Sequence, residues 1–188
     1  MISLPGPETG FLMLYRAILV SLLALIVNPD HALAWGPITH LVHGWEIFRN
    51  LSTLPAALQE LLTAHRLAYL YGCIGADITQ ARRYARDLYS HCHHWGVGFK
   101  VLAAARTDEE RAFAYGYLSH LAADVYSHNH FVPLQLIASF PARTLGHVYW
   151  EVRFDTLQDR RRWHLTKDVL ARPYPDCDAL VERDGPLL

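Results

Sequence analysis

Residues 107–126, TDEERAFAYGYLSHLAADVY, decide the fold class of this chain. Thr107 is of a type that favours the N-cap position, and the three acids that follow it suit the positive end of a helix dipole. Four residues then share one face at helical spacing: Phe113, Tyr117, His120 and Asp124. The stretch therefore predicts a helix over 108–127 whose apolar face also carries an imidazole and a carboxylate.

The rest of the chain repeats this helical spacing. Between Thr39 and Asp168 the apolar residues recur every three or four positions, and the alternation that is typical of strands is scarce. The sequence thus predicts an all-α protein, a compact bundle of several helices in a single domain. The predicted helices cover about residues 38–50, 55–72, 79–90, 95–106, 108–127 and 142–163. After Arg172 the chain is expected to be irregular.

The charge balance argues against a surface that binds nucleic acid. The 188 residues include 17 Lys and Arg against 18 Asp and Glu, a net charge of −1, and 52% of them are hydrophobic. A neutral chain offers no basic field for a phosphate backbone, and so apolar a composition is unlike that of a disordered protein. Stable nucleic-acid binding is therefore not expected. The 12 histidines stand out instead, because histidine binds metals and transfers protons near neutral pH.

Residues 17–27, AILVSLLALIV, form a short apolar segment near the N-terminus. The segment is too short to span a bilayer, which needs about 20 apolar residues. Arg16 precedes it, and small residues occupy the −3 and −1 positions of a cleavage site that ends at Ala34. This arrangement is typical of a secretory signal peptide. We therefore expect residues 1–34 to be removed as a signal peptide, and residues 35–188 to form a secreted or periplasmic domain without a transmembrane segment.

Several further side chains that bind metals or move protons are scattered along the chain. They are Asp77, the cluster His91-Cys92-His93-His94, His128, His130, and the i, i+4 pair His147 and Glu151. Donors one helical turn apart point at one target. A carboxylate on a buried face, such as that of Asp124, is costly unless it is paired or bound to a metal. A single such pair is more often an ordinary hydrogen bond within a helix, so both interpretations stay open at this point.

Trp35 changes the interpretation, because the predicted cleavage makes it the first residue of the mature chain. The donors that follow it resemble, in order and spacing, those of the zinc-dependent phospholipase C and P1/S1 nuclease superfamily, whose mature chains begin with a metal-binding Trp. The corresponding residues here are Trp35, His40, Asp77, His91, His120, Asp124, His130, His147 and Glu151. The resemblance extends from Trp35 to about Asp155 and implies a mostly helical fold that holds three zinc ions.

The resemblance also implies how the ligands are shared between the ions. The first zinc ion would be held by Asp77, His91, His120 and Asp124. The second would be held by the amino nitrogen and carbonyl oxygen of Trp35 with His40 and Asp124, and the third by His130, His147 and Glu151. His93 and His94 could each replace His91 as a ligand, but a position in solvent or behind the ligands is favoured for both. Nitrogen-rich sites of this kind suit zinc better than Mg²⁺ or Ca²⁺, which prefer oxygen ligands.

The activity that the resemblance implies is hydrolysis of phosphodiesters by a zinc-activated water. Zinc lowers the pKa of a bound water to about 7, and Asp77 would orient or deprotonate that water as the catalytic residue. We expect a phospholipase C-like enzyme that contacts the membrane surface transiently and releases the headgroup of phospholipids. Choline-selective members carry aromatic residues where this chain has Ile78 and Leu88, so little preference for choline is expected. The alternatives are a P1/S1-like single-strand nuclease and a zinc-binding member without turnover.

Overall fold

The computed structural model describes residues 35–78, 91–139 and 143–184. Its α-helices are α1 (Pro37–Glu46), α2 (Ala56–Ala64), α3 (Arg66–Ile78), α4 (Trp95–Ala104), α5 (Asp108–Tyr126), α6 (Val132–Ser139), α7 (Arg143–Thr156), α8 (Arg160–Leu170) and α9 (Pro175–Asp184). Short 3₁₀ turns at Ile47–Arg49 and Leu51–Thr53 follow α1, and a π-helical turn at Ser127–Phe131 joins α5 to α6. Within the described ranges no strand forms, so the all-α prediction is confirmed.

Two of the predicted helices are each split in the structure. The segment predicted as one helix over 55–72 breaks at His65, whose φ and ψ of −114° and 39° are not helical, and the chain continues as α3. The segment predicted over 142–163 breaks before Asp159, whose side chain accepts a hydrogen bond of 3.0 Å from a backbone N–H in the first turn of α8. The helix predicted at 79–90 lies outside the described residues.

The expectation of an irregular segment after Arg172 is wrong, because the chain from Pro175 onwards forms α9. Pro175 occupies the first turn, where a backbone N–H has no partner within the helix, and Asp176 beside it suits the positive end of the helix dipole. The inward side of α9 is buried in the core through Cys177, Leu180 and Val181.

α5 begins as the sequence predicts. The side chain of Thr107 accepts a hydrogen bond of 3.1 Å from the N–H of Glu110. The carboxylate of Glu110 in return accepts hydrogen bonds of 2.9 Å from the N–H of Thr107 and 2.6 Å from that of Arg106. This reciprocal capping box satisfies N–H groups that the helix itself leaves unpaired.

The hydrophobic core lies around α3 and α5, against which α1, α4 and α9 pack. Its large, fully buried side chains include Leu41, Leu70, Ile74, Val101, Phe113 and Leu121. The described helices include none that is long and apolar enough to cross a membrane.

α3 and α5 approach each other closely because each helix has a glycine where it meets the backbone of the other helix. A Cβ atom on Gly72 would lie 2.0 Å from the carbonyl oxygen of Phe113, and one on Gly116 would lie 1.9 Å from the carbonyl oxygen of Tyr69. Both distances are far below any real contact of a side chain, so the crossing requires glycine at both positions. The close approach sets Asp77, near the end of α3, beside the polar residues of α5.

The start of α1 is fixed by a carboxylate from α7, distant in sequence. Asp155 is buried and accepts hydrogen bonds from the N–H of Ile38 at 3.1 Å and the N–H of Thr39 at 2.9 Å. It thereby fills the capping role that Gly36, with no side chain, cannot fill. A Cβ atom on Gly36 would lie 2.1 Å from this carboxylate. The contact determines where α1 presents His40.

Candidate metal centre

Five imidazole and carboxylate side chains gather in one cluster where α1, α3 and α5 meet the turn that precedes α4. α5 contributes His120 and Asp124, α3 contributes Asp77, and α1 contributes His40. The turn at 91–94 contributes His93. His40, His120 and Asp124 are all buried, so the cluster lies inside the protein.

Four of these side chains converge on one point. Nε2 of His93 lies 3.2 Å from Oδ1 of Asp77 and 3.3 Å from Oδ2 of Asp124. The same nitrogen lies 3.1 Å from Nε2 of His120. That atom of His120 lies 3.4 Å from Oδ2 of Asp124 and 3.9 Å from Oδ1 of Asp77. Tetrahedral zinc with ligands at about 2.0–2.1 Å separates neighbouring ligand atoms by about 3.3–3.4 Å. Four of these five separations lie within about 0.3 Å of that value, and that between His120 and Asp77 is longer.

Asp124 also faces a second donor with its other oxygen. Oδ1 lies 3.3 Å from Nε2 of His40, while Oδ2 faces His93 and His120. The rings of His40 and His120 are stacked with their centroids 3.9 Å apart. The two oxygens of one carboxylate thus divide the cluster into two sets of donors.

The second set contains buried polar atoms that the protein leaves unsatisfied. Oδ1 of Asp124 and both ring nitrogens of His40 have no hydrogen bond of acceptable geometry to any described residue, although Nε2 and Oδ1 approach to 3.3 Å. Leaving such atoms unpaired in the interior costs about 1–3 kcal/mol each. A cation between the imidazole and the carboxylate would satisfy both groups, so the residues present fit a metal ion.

The second ring nitrogen of His120 indicates which of its nitrogens can bind a metal. Nδ1 lies 2.9 Å from the carbonyl oxygen of Cys73. A carbonyl oxygen only accepts hydrogen bonds, so Nδ1 carries the hydrogen. In the neutral ring the lone pair is then on Nε2, and this atom faces Asp77, His93 and Asp124. A histidine that donates one N–H to the protein and presents the other nitrogen is the usual form of a metal ligand.

The charges of the cluster suit a cation. Burial alone would raise the pKa of Asp124, but its contacts with His120 and His40 outweigh burial and hold the pKa well below its ordinary value. Burial and the neighbouring His120 lower the pKa of His40, which favours the neutral imidazole that metals bind. Burial lowers the pKa of His93, but Asp77, Cys92 and Asp124 raise it to about 9.

The structure brings His93, the alternative of the sequence analysis, into contact with Asp77, His120 and Asp124. His91 lies beside it, with Nδ1 accepting a hydrogen bond of 3.2 Å from the N–H of His93. Both histidines stand in one short turn, and the spacing that carries the resemblance favoured His91. Asp155, which fixes α1, carries no signal in the sequence at all.

Trp35 is buried beside the second donor set. Its ring stacks on that of His43 with centroids 4.5 Å apart and lies 6.4 Å from that of His40. The rings of Tyr126, Phe131 and Phe154 lie 5.9–6.1 Å from the Trp35 ring, centroid to centroid. The ligand role of the Trp35 amino nitrogen and carbonyl oxygen stays a prediction.

The third predicted ligand set is the least defined. His130 lies in the π-helical turn after α5, exposed and 5.4 Å from the ring of Tyr126. His147 and Glu151 belong to α7, but their side chains lie outside the described part of the structure. Leu88, on which the expectation about choline rests, also lies outside it. The joint action of these three residues on one ion therefore stays a prediction.

An open pocket of about 370 Å³ lies against the second donor set. Its described lining residues are Trp35, His40, His43, Gly44, Ile47, Tyr69, Ser119, Ala122, Ala123 and Tyr126. Apolar and aromatic groups dominate, none of these residues is Lys, Arg, Asp or Glu, and the hydroxyls of Tyr69 and Ser119 pair with each other at 3.0 Å. Its size is that of a small-molecule site.

Comparison with known protein families matches residues 39–181 to a family described as zinc dependent phospholipase C. The matched range includes all the donors from His40 to Glu151. Neither the curated proteins nor the solved structures contain a significant match to the chain.

Proposed function

The chain belongs to the zinc-dependent phospholipase C family, and from this membership we propose that it hydrolyses the headgroup phosphodiester of phospholipids as an exported enzyme. The observation that carries the proposal is the position of Asp124 between two donor sets. One oxygen faces His93 and His120, and the other faces His40. A carboxylate placed in this way can bridge two cations, and paired cations stabilise both the attacking and the leaving oxygen of a phosphodiester.

The proposed ligands follow the two donor sets. One zinc ion is assigned to Asp77, His93, His120 and Asp124. A second is assigned to His40 and Asp124 together with the amino nitrogen and carbonyl oxygen of Trp35. A third, held by His130, His147 and Glu151, rests on the resemblance of the sequence alone.

Bound zinc would supply a water with a pKa of about 7 and positive charge for the phosphate oxygens. Asp77 is suited to orient that water. Burial tends to raise the pKa of Asp77, but its hydrogen bond to His93 and the nearby histidines lower it below the ordinary value. The low pKa keeps Asp77 ionised, and an ionised carboxylate can accept a hydrogen bond from a water.

The pocket beside His40 supports a lipid as the substrate. Its lining offers apolar and aromatic surface to a glyceride and no Lys or Arg to a polyanion. Tyr126, which lines the pocket from α5, is 58% exposed. A single-strand nuclease would instead need a basic groove with aromatic platforms. The aromatic part is present here, whereas the described lining contains no cation.

Export belongs to the same proposal. Removal of residues 1–34 would give Trp35 a free amine, which is the form that can bind zinc. The enzyme would then act on phospholipid outside the cytoplasm.

The test compares two substrates with the zinc-loaded protein. Vesicles of mixed phosphatidylcholine and phosphatidylethanolamine and a single-stranded DNA are incubated at matched low and moderate salt, with Asp124→Ala as the blank. We expect phosphorylated headgroups to be released from both lipids at similar rates and the DNA to be cut slowly. Faster DNA cleavage that weakens steeply with salt would support the nuclease instead. Lipid turnover equal to that of the blank would overturn the proposal.

A further inference from the structure

Cys92 is a fully buried thiol in direct contact with His93 of the donor cluster, and the ligand scheme gives it no role. It is a free cysteine. Its Sγ lies 3.1 Å from Nδ1 of His93 and 4.0 Å from Nδ1 of His91. It therefore touches the side of the His93 ring that faces away from Asp77.

A histidine that binds a metal through Nε2 needs an acceptor at Nδ1. The neutral ring carries one hydrogen, so an Nε2 lone pair directed at the metal requires Nδ1–H. For His120 the acceptor is the carbonyl oxygen of Cys73, 2.9 Å away. For His93, whose Nε2 faces Asp77 at 3.2 Å, the atom in the equivalent place is the sulfur of Cys92.

The turn that carries both residues is held rigidly. The hydroxyl of Tyr117 on α5 donates to the carbonyl oxygen of Cys92 at 2.5 Å. Inside the turn, the N–H of His94 donates to the carbonyl oxygen of His91 at 2.8 Å, and the N–H of His93 donates to the ring of His91 at 3.2 Å. The backbone thus fixes the thiol in relation to the neighbouring imidazole.

We propose that Cys92 is a positioning residue of the zinc centre, whose sulfur accepts the hydrogen of Nδ1 of His93 and so directs Nε2 towards Asp77, His120 and Asp124. The inference rests on the part of the proposed function that makes His93 a zinc ligand, and not on the substrate. Partners that orient a ligand in this way typically change metal affinity by about 10–100-fold when they are removed.

The test measures zinc affinity in chelator competition, with no lipid present. Cys92→Val keeps the volume and burial but removes the acceptor, whereas Cys92→Ser keeps an acceptor. Cys177→Val is the matched control, because Cys177 is equally buried in α9. We expect Cys92→Val to bind zinc about 10–100-fold more weakly. Cys92→Ser should recover most of that loss, and Cys177→Val should keep the affinity of the wild type even if it melts earlier.

A second measurement needs no variant and can overturn the inference even if Cys92→Val fails to fold. Long-range ¹H–¹⁵N spectra of the zinc-loaded protein, expressed from the whole sequence, report the tautomer of each histidine. We expect His93 with its hydrogen on Nδ1. Hydrogen on Nε2, unchanged zinc affinity in Cys92→Val, or equal losses in Cys92→Val and Cys92→Ser would each overturn the inference. None of these three results would change the interpretation of the lipid assay. Conversely, a failure of lipid hydrolysis would leave the zinc measurements valid.

Discussion

The substitution Gly72→Ala tests whether the close crossing of α3 and α5 builds the metal centre. The new Cβ would lie 2.0 Å from the carbonyl oxygen of Phe113, whereas real Cβ atoms essentially never come closer than 3.0 Å to another atom. Because the obstacle is backbone, the two helices must move apart by about 1 Å. Asp77 moves with α3, while His120 and Asp124 stay with α5.

The expected loss can be worked out from this displacement. Overpacking of a core costs about 3 kcal/mol at the upper end of its usual range, and the better helix propensity of Ala returns about 1 kcal/mol. A net loss of about 2 kcal/mol lowers the melting temperature of a chain of this size by about 4–8 °C. Zinc sites tolerate changes of only about 0.2 Å in ligand distance, so a separation of the helices should weaken zinc binding as well.

The assay is thermal unfolding in the presence of a chelator and in excess zinc. Gly75→Ala is the matched control on the same helix, because its Cβ would meet side-chain rings and no backbone: the ring of Phe113 at 3.0–3.2 Å, which can tilt, and that of Tyr117 at 3.4 Å. We expect Gly72→Ala to melt earlier than Gly75→Ala in both conditions and to gain less from zinc. If Gly72→Ala has the melting temperature of the wild type and binds zinc equally well, the close crossing is not what holds the donors together.

Four further predictions follow from the donor sets and their supports. Asp124→Ala should lose two zinc ions by elemental analysis; retention of full zinc would refute its bridging position. A residue left in front of Trp35 should cost one ion, since an amide nitrogen is a poor ligand, and equal zinc content in both forms would contradict this. Protonated His93 should stabilise the metal-free protein below about pH 6.5, and that stability should be lost as the pH rises through about 9. Denaturant unfolding between pH 6 and 10 measures this loss. Zinc binding near pH 7 should in turn release a proton. Asp155→Ala should destabilise the start of α1 by about 1–2 kcal/mol and weaken zinc binding at the second donor set, and Asp155→Asn should have a smaller effect. An unchanged melting temperature and zinc content would show that Asp155 does not fix the start of α1.

Helical spacing in the sequence was enough to predict the helical class and the meeting of His120 with Asp124. Helical periodicity and capping are local properties of a sequence. They predicted α5 to within a residue at each end, from the Thr107 cap and the spacing of Phe113, Tyr117, His120 and Asp124. His120 and Asp124 meet because residues four apart share a helical face. The order of the donors also predicted the family that the match over 39–181 shows.

Which donors converge depends on contacts between helices that are far apart in the sequence. Asp77, His40 and His93 come from three separate segments, and their meeting with α5 depends on the glycine contact at Gly72 and on the cap that Asp155 supplies to α1. Such contacts join residues more than forty or a hundred positions apart, for which no periodicity exists. The choice of His93 is of the same kind, since adjacent residues in a turn point in different directions and only the fixed backbone of that turn sets which ring enters the cluster.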